Sequence, residues 1–443
     1  MNELSNNTKP ALRFDKGFWI AIIICIAIIA GTFSSVFSYV ALAMAVIAIA
    51  LMPQEDSLGI MLMVMPFANI FKSNPEGQSF FIYLMLFYVL RYFVKSRFMN
   101  RGFLISMFLL VVYLIVQMAI SMNILRTIKF VANILFIYLA VNSETSHHNK
   151  KIYLCYIIGL VISSSIAALN ILPNLVDYVI AKEELIANEQ TARFAGMYGD
   201  PNYYSVNIII SLCLLVILNH RKELSAIPAI GLAVLMVLFA GLTASKSAFL
   251  MLIVPLLLLL YSKMQKKNYF LFICVAIIGS VLVFQALSGK IEIFSSVLSR
   301  FDEAADAESL TTGRSYIWSN YMSYLEKNPL VLWFGRGLGA EILNTHAAHN
   351  TYIDMLYYLG IVGTAFLIAV FKALTKIKRN KAKTNLLNYS GWICVAIMYF
   401  FLSELFYFDW AFHIVIAMYI LKMNMNQGNE ADNSGEIYLQ NPI

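Results

Sequence analysis

The chain has 443 residues, of which 60% are hydrophobic and only 13% charged, and its mean hydropathy of +0.72 excludes both a soluble globular domain and a disordered chain. The net charge of +7 does not mark a nucleic-acid binder, because the basic residues punctuate apolar runs and form no soluble stripe interleaved with stacking aromatics. What remains is a polytopic integral membrane protein, an all-α helical bundle.

Apolar runs of about 15–22 residues can cross a hydrocarbon core of roughly 30 Å. They centre near Ile23, Ala45, Val64, Phe87, Val111, Phe136, Gly159, Ser211, Leu235, Val254, Ile277, Ala365, Ile397 and Ile416. This predicts about 12–14 transmembrane helices. Lys9, Arg13 and Lys16 precede the first run, which lacks a small-residue cleavage site and reads as a retained signal anchor. With the N-terminus in the cytoplasm, alternation puts Lys95, Arg97 and Arg101 on the same side. Lys150 and Lys151, Arg221 and Lys222, Lys263, Lys266 and Lys267, and the run KALTKIKRNKAK fall there too, as cytoplasmic loops should. Arg126 and Lys129, between the fifth and sixth runs, are the main exception. Residues 1–422 then form one transmembrane domain, followed by a polar cytoplasmic tail at 423–443, so both termini are cytoplasmic. Cys25, Cys155, Cys213, Cys274 and Cys394 are scattered through apolar runs without metal-ligand spacing, and no disulfide is expected.

Two connections, 173–202 and 287–350, are long and face outside in this topology, and long loops in a compact bundle are commonly functional. The first ends TARFAGMYGDPNYYS, with Asp200 as helix cap and Pro201 in the first turn. The second is a large late extracytoplasmic loop. In it Thr311 or Thr312 precedes a short helix from about Arg314, on which Trp318, Tyr321, Met322 and Leu325 recur at helical spacing, an amphipathic pattern suited to the membrane surface.

Outside a bacterial membrane there is no nucleotide pool, so chemistry there must draw on a substrate that already carries a leaving group, such as a polyprenyl diphosphate. Arginine suits that anion because its charge is permanent and its fork is bidentate. Arg193, Arg314 and Arg336, with Lys246 in the short turn LTASKSAF, break the positive-inside trend beside His346 and His349. Each could be an ordinary outer-loop charge; together they read as an anion site. His349 precedes a T-x-x-D pattern at Thr351 and Asp354, which predicts a capping box. A helix amino end there would favour phosphate and a neutral imidazole able to accept a proton. Capping alone accounts for Asp354 in that reading. GRGLG at 335–339 could cradle phosphate with backbone N–H groups, or be a plain turn. Asp302, Glu303, Asp306 and Glu308 read as a solvated loop, with no metal site expected. Arg91, Glu404, Asp409 and His413 lie in or near spans, where charge is costly.

The series RFAGMYGDPN at 193–202, TASKS at 243–247, TGRSYIW at 312–318, GRGLG, and HNTYIDMLYYLGIVG at 349–363 resembles the O-antigen polymerase and ligase superfamily. The resemblance implies a metal-independent membrane glycosyltransferase without a cofactor, acting at the outer face of the bacterial cytoplasmic membrane. It further implies undecaprenyl-diphosphate-linked glycan as donor and acceptor, with a flippase and a chain-length regulator as candidate partners. Carried over by motif, Arg193 and Arg314 engage the diphosphate and His349 activates the acceptor. Lys246 stands where many relatives have arginine, turning a forked contact into a point charge. A polymerase is favoured over a ligase acting on lipid A core because both substrates would then be lipid-linked. Transfer to a protein hydroxyl, and a flippase for the same lipids, are the further alternatives.

Overall fold

The computed structural model describes residues 16–95, 100–142, 150–172, 175, 194–243, 245–265, 314–343, 347–374, 386–403 and 410–421. Among the described residues every regular element is helical. In chain order, α1 is Lys16–Gly31, α2 Ser35–Leu51, α3 Gln54–Val64, α4 Phe80–Lys95, α5 Arg101–Met118, α6 Ile124–Val141 and α7 Lys150–Ala168. Then follow α8 Pro201–His220, α9 Ala226–Leu242, α10 Lys246–Met251, α11 Ile253–Gln265, α12 Arg314–Lys327 and α13 Pro329–Phe334. The late elements are α14 Thr351–Asp354, a π-helical turn Met355–Leu359, α15 Gly360–Leu374 and α16 Leu386–Phe401, with a last apolar helix, α17, at Trp410–Leu421.

Four stretches among the described residues are long and apolar enough to cross a membrane by length and composition: α5, α6, α8 and Thr351–Leu374. Shorter apolar helices, including α1, α2, α9 and α17, accompany them. Ile26, Ile105, Ile115 and Ile230 stand exposed on these helices. Water would disfavour such a surface by about 25 cal/mol per Å2, whereas hydrocarbon accepts it. The chain is an all-α polytopic membrane protein. The run expected near Val64 is displaced: Val64 closes α3, and Pro66 sits in the 3-10 turn Met65–Phe67 that follows, since proline cannot donate within a continuing α-helix. The run near Ile277 and the tail lie outside the described residues.

The helices alternate between two ends. At one, Gln54 Nε2 donates to the Leu139 carbonyl at 2.9 Å, the Asn100 amide to the Tyr138 hydroxyl at 3.0 Å and the Tyr419 hydroxyl to the Ala140 carbonyl at 3.2 Å. This joins the starts of α3 and α5 to the finishes of α6 and α17. At the other, Asn69 Nδ2 donates to Met197 O at 3.0 Å and the Tyr203 hydroxyl to Ser403 O at 2.9 Å. Between the ends His413 is fully buried, with Nε2 3.0 Å from Asn207 Oδ1, an oxygen that also accepts from the Tyr156 hydroxyl at 2.6 Å. Arg91 lies over the Tyr92 ring at 4.8 Å. Cys213 on α8 and Cys394 on α16 bring their Sγ atoms to 3.2 Å as free thiols.

Candidate functional site

The second end gathers the polar motifs. A helix leaves its last four carbonyls without intrahelical partners, and α16 finishes at Phe401 beside segments that supply donors. Arg314 Nη1 donates to Phe401 O at 3.0 Å, Thr351 Oγ1 to Leu402 O at 2.5 Å and the Tyr203 hydroxyl to Ser403 O at 2.9 Å. Tyr352, one residue after Thr351, reaches back to Ala396 O at 2.9 Å. The DPNYY, GRSYIW and HNTYID segments, far apart in sequence, therefore meet on one helix end. The Lys246 turn joins them: Ser245 Oγ donates to Asn202 Oδ1 at 2.8 Å, and α10, which begins at Lys246, packs against α8 and α16. Asp200 caps α8 as expected, accepting from the Asn202 amide at 2.6 Å and the Tyr203 amide at 3.3 Å.

His349 is half-buried at this junction and has φ +47°. The left-handed region costs a residue with a Cβ roughly 1–3 kcal/mol, so the loop must hold it there. Part of that hold is visible in the preceding residue, since Trp318 Nε1 on α12 donates to Ala348 O at 2.8 Å.

The expected capping box is not the one that forms. Asn350 is the cap, accepting from the Tyr352 amide at 3.0 Å and the Ile353 amide at 3.2 Å. Thr351 is instead drawn to Leu402. Asp354, read from sequence as a cap, is buried at 3% exposure beside Ser403, and its Oδ2 has no hydrogen-bond partner among the described residues. A buried carboxylate with an unsatisfied oxygen is costly, and it lies in the segment that carries His349.

GRGLG is a clamp rather than a phosphate nest. The Arg336 amide donates to Tyr357 O at 2.8 Å and the Gly337 amide to Tyr358 O at 3.0 Å, carbonyls of the π-helical turn. Gln117 Nε2 on α5 donates to Phe334 O at 2.6 Å and Tyr358 O at 3.1 Å, while the Tyr113 hydroxyl lies 2.6 Å from both Phe334 O and Leu359 O. Gly335 (φ +69°) and Gly360 (φ +67°) lie close together: a Cβ on Gly335 would meet the Tyr358 and Leu359 backbone, and one on Gly360 would meet the Gly335 amide and the Trp333 carbonyl. The Arg336 side chain reaches the Tyr357 hydroxyl at 3.2 Å and lies 5.8 Å from the Tyr324 ring centroid. Burial works against its charge, but Tyr357, Tyr324 and Glu341 outweigh that and leave its pKa raised.

The helix at 314 is also placed differently from expectation. Tyr321 and Leu325 are buried, Tyr321 against the Tyr357 ring at 5.1 Å, and Trp318 packs on Phe400 at 5.1 Å. Met322, expected on the same stripe, is 41% exposed. The apolar stripe thus faces the protein, and the exposed large groups here are Tyr316, Met322, Leu330, Trp333 and Phe334.

The structure brings Arg314, His349 and the Lys246 turn to one helix end, and sets Arg336 at the same end of the bundle on its Tyr324–Tyr357 side. Arg193, His346, Thr311, Thr312, the acidic group at 302–308, Glu404 and Asp409 lie outside the described residues. Sequence reasoning did not single out Asn202, Ser245, Thr351 as a tether, or Ser403. The last two act through backbone carbonyls or one buried contact, which leave no sequence pattern. Among the described residues no three His, Cys, Asp or Glu side chains are grouped as metal ligands.

A family model described as O-Antigen ligase matches residues 231–368. No curated protein and no solved structure matches the chain. The matched stretch runs from α9 through Lys246, Arg314, the GRGLG clamp and His349 into α15, and so covers most of the site as well as the break at Gly360. The match covers about a third of the chain and supports the resemblance to the O-antigen ligase and polymerase superfamily over that stretch.

Proposed function

We propose that this chain is a polysaccharide polymerase, which moves a growing glycan from its undecaprenyl diphosphate onto the next lipid-linked repeat unit at the outer face of the bacterial cytoplasmic membrane. The observation that carries this reading is the meeting of the Arg314, Lys246 and His349 segments on the end of α16. Arg193 and Arg314 hold the donor diphosphate, with Lys246 and Arg336 adding positive charge at the same end of the bundle. The acceptor hydroxyl oxygen bonds to the anomeric carbon as the bond from that carbon to the diphosphate oxygen breaks. His349 takes the hydroxyl proton, and undecaprenyl diphosphate leaves with its electron pair. Charge that grows on the leaving oxygen is then met by the Arg314 guanidinium, already held at Phe401 O.

Transfer to lipid A core is the second reading, favoured by the description of the family model itself. Deleting the gene and sizing the surface glycan separates the two. Single repeat units on an otherwise normal anchor mean a polymerase. Full-length glycan stranded on the carrier means a ligase, and repeat units trapped in the cytoplasm mean a flippase. Complementation with Arg314→Ala is expected to reproduce the deletion pattern. Wild-type chain length from that variant would remove Arg314 from the mechanism.

A further inference from the structure

A polymerase of this kind handles two lipid diphosphates at once, one on the donor and one on the acceptor, and the residues gathered on α16 provide for one. The same end of the bundle holds a second group of cations. Lys72 lies in the connection between α3 and α4, while Arg126 and Lys129 lie in the first turns of α6. Lys129 Nζ is 3.4 Å from Gln78 Oε1 in the Lys72 connection, and Lys129 feels the Arg126 charge. Arg126 is exposed, with Nη1 3.4 Å from Leu338 O and 3.5 Å from Ala340 O of the clamp loop. Burial lowers the pKa of Lys72. Glu76 is exposed in the same connection.

These residues are joined to the Arg314 side by two separate routes. One runs through the clamp: Arg126 to Leu338 and Ala340, then the Arg336 and Gly337 amides to Tyr357 and Tyr358, then along one helix back to Thr351 and its Leu402 contact. The other runs through the opposite loops: Asn69 to Met197, the Phe194 amide to Leu242 O at 3.2 Å, Ser245 to Asn202, and Tyr203 to Ser403. The two routes close a circuit of contacts, with Arg314 and the Lys246 turn on one arc and Lys72, Arg126 and Lys129 on the other. The helix start that carries His349 belongs to the first route. Arg126 and Lys129 are positive charges against the topology trend, close to each other and without a place in the donor site.

We infer that Lys72, Arg126 and Lys129 form a second anion site, which holds the diphosphate of the acceptor lipid while the Arg314 side holds that of the donor. This rests on the polymerase reading. The glycan on each diphosphate then extends toward the helix start between them, where the acceptor hydroxyl meets the donor's anomeric carbon.

The test uses the full chain in nanodiscs of zwitterionic lipid, with undecaprenyl diphosphate as probe and native mass spectrometry as readout. Wild type is expected to bind two probes, Arg314→Gln to lose one, and Arg126→Gln with Lys129→Gln to lose the other. With lipid-linked repeat units as substrate, the double variant should raise KM about tenfold or more, the loss expected for charge-assisted phosphate contacts. If the double variant is not monodisperse, Lys72→Gln and Lys129→Gln singly replace it, and each should weaken the second binding event. Two probes bound with unchanged KM in these variants overturns the inference. So does a second site that phosphatidylglycerol fills in preference to the probe, which would make it a phospholipid headgroup site. A single probe in wild type, removed by Arg314→Gln, overturns the second site and leaves the polymerase standing. No bound probe and no polymer from wild type overturns the polymerase reading itself.

Discussion

His349 combines a chemical candidate with an awkward backbone, and the two can be separated by substitution. Its φ of +47° is open to glycine at no steric cost, whereas alanine would keep the strain of roughly 1–3 kcal/mol. Glycine also loosens the unfolded chain, at about 0.4–1 kcal/mol, so His349→Gly should melt at or slightly above the wild-type temperature and make no polymer. His349→Ala should be equally inactive and no more stable. A glycine variant that still elongates glycan would assign the histidine to loop geometry alone. Asp354 invites the complementary change. Its Oδ2 is buried without a hydrogen-bond partner among the described residues, and neutralising a carboxylate in place removes a desolvation cost of about 1–3 kcal/mol. Asp354→Asn should therefore raise the melting temperature while slowing elongation, because the side chain adjoins Ser403 in the segment that carries His349. Unchanged melting and unchanged rate together would make it inert. Neither feature was legible in the sequence. T-x-x-D predicts a capping box by spacing, but Asn350 stands one residue earlier with a better-placed oxygen, and spacing does not reveal which of two competing caps wins.

The stretch from Thr351 to Leu374 reads in the sequence as one apolar span, and by length it is one. Its backbone is broken, with a π-helical turn at Met355–Leu359 and Gly360 in the left-handed region. A π turn leaves carbonyls without their usual partners, and here the Arg336 and Gly337 amides, Gln117 and the Tyr113 hydroxyl take them up. The glycines of GRGLG were visible, but their purpose was not, because Gly335 packs against the Tyr358–Leu359 backbone just before Gly360, and only the folded chain brings them together. Gly360→Ala would be strained twice, by φ +67° and by a Cβ set against the Gly335 amide and the Trp333 carbonyl. The expected cost is more than about 2 kcal/mol, seen as a lower melting temperature of the purified protein together with lost polymer. Gln117→Leu removes a donor from Phe334 O and Tyr358 O without a backbone change and should produce a smaller loss of the same kind. If Gly360→Ala melts like wild type, the clamp does not hold the break.

At the scale of the whole chain, composition and the alternation of basic loops were enough to read an all-α membrane bundle, since those signals come from solvation and act on every residue. The site was legible only as a set of unusual charges in late loops, because its assembly depends on the bare carbonyls where α16 finishes, which no side-chain pattern announces. Sidedness is the consequence that can be checked directly. Asn74, Ser319 and the motif segments belong to the end where Arg314, Thr351 and Tyr203 meet. Ser225, in the connection between α8 and α9, belongs to the opposite one. Asn74, Ser225 and Ser319 are all exposed. In a cysteine-free background, Asn74→Cys and Ser319→Cys should react with a membrane-impermeant maleimide in intact spheroplasts, and Ser225→Cys only after lysis. On the proposed reading, a lipid diphosphate whose glycan has already crossed the membrane meets Arg314 on the outer side. Labelling of Ser225→Cys, and not Ser319→Cys, in intact spheroplasts would put these cations on the cytoplasmic side, where nucleotide-activated sugars are available and a lipid-diphosphate donor is no longer required.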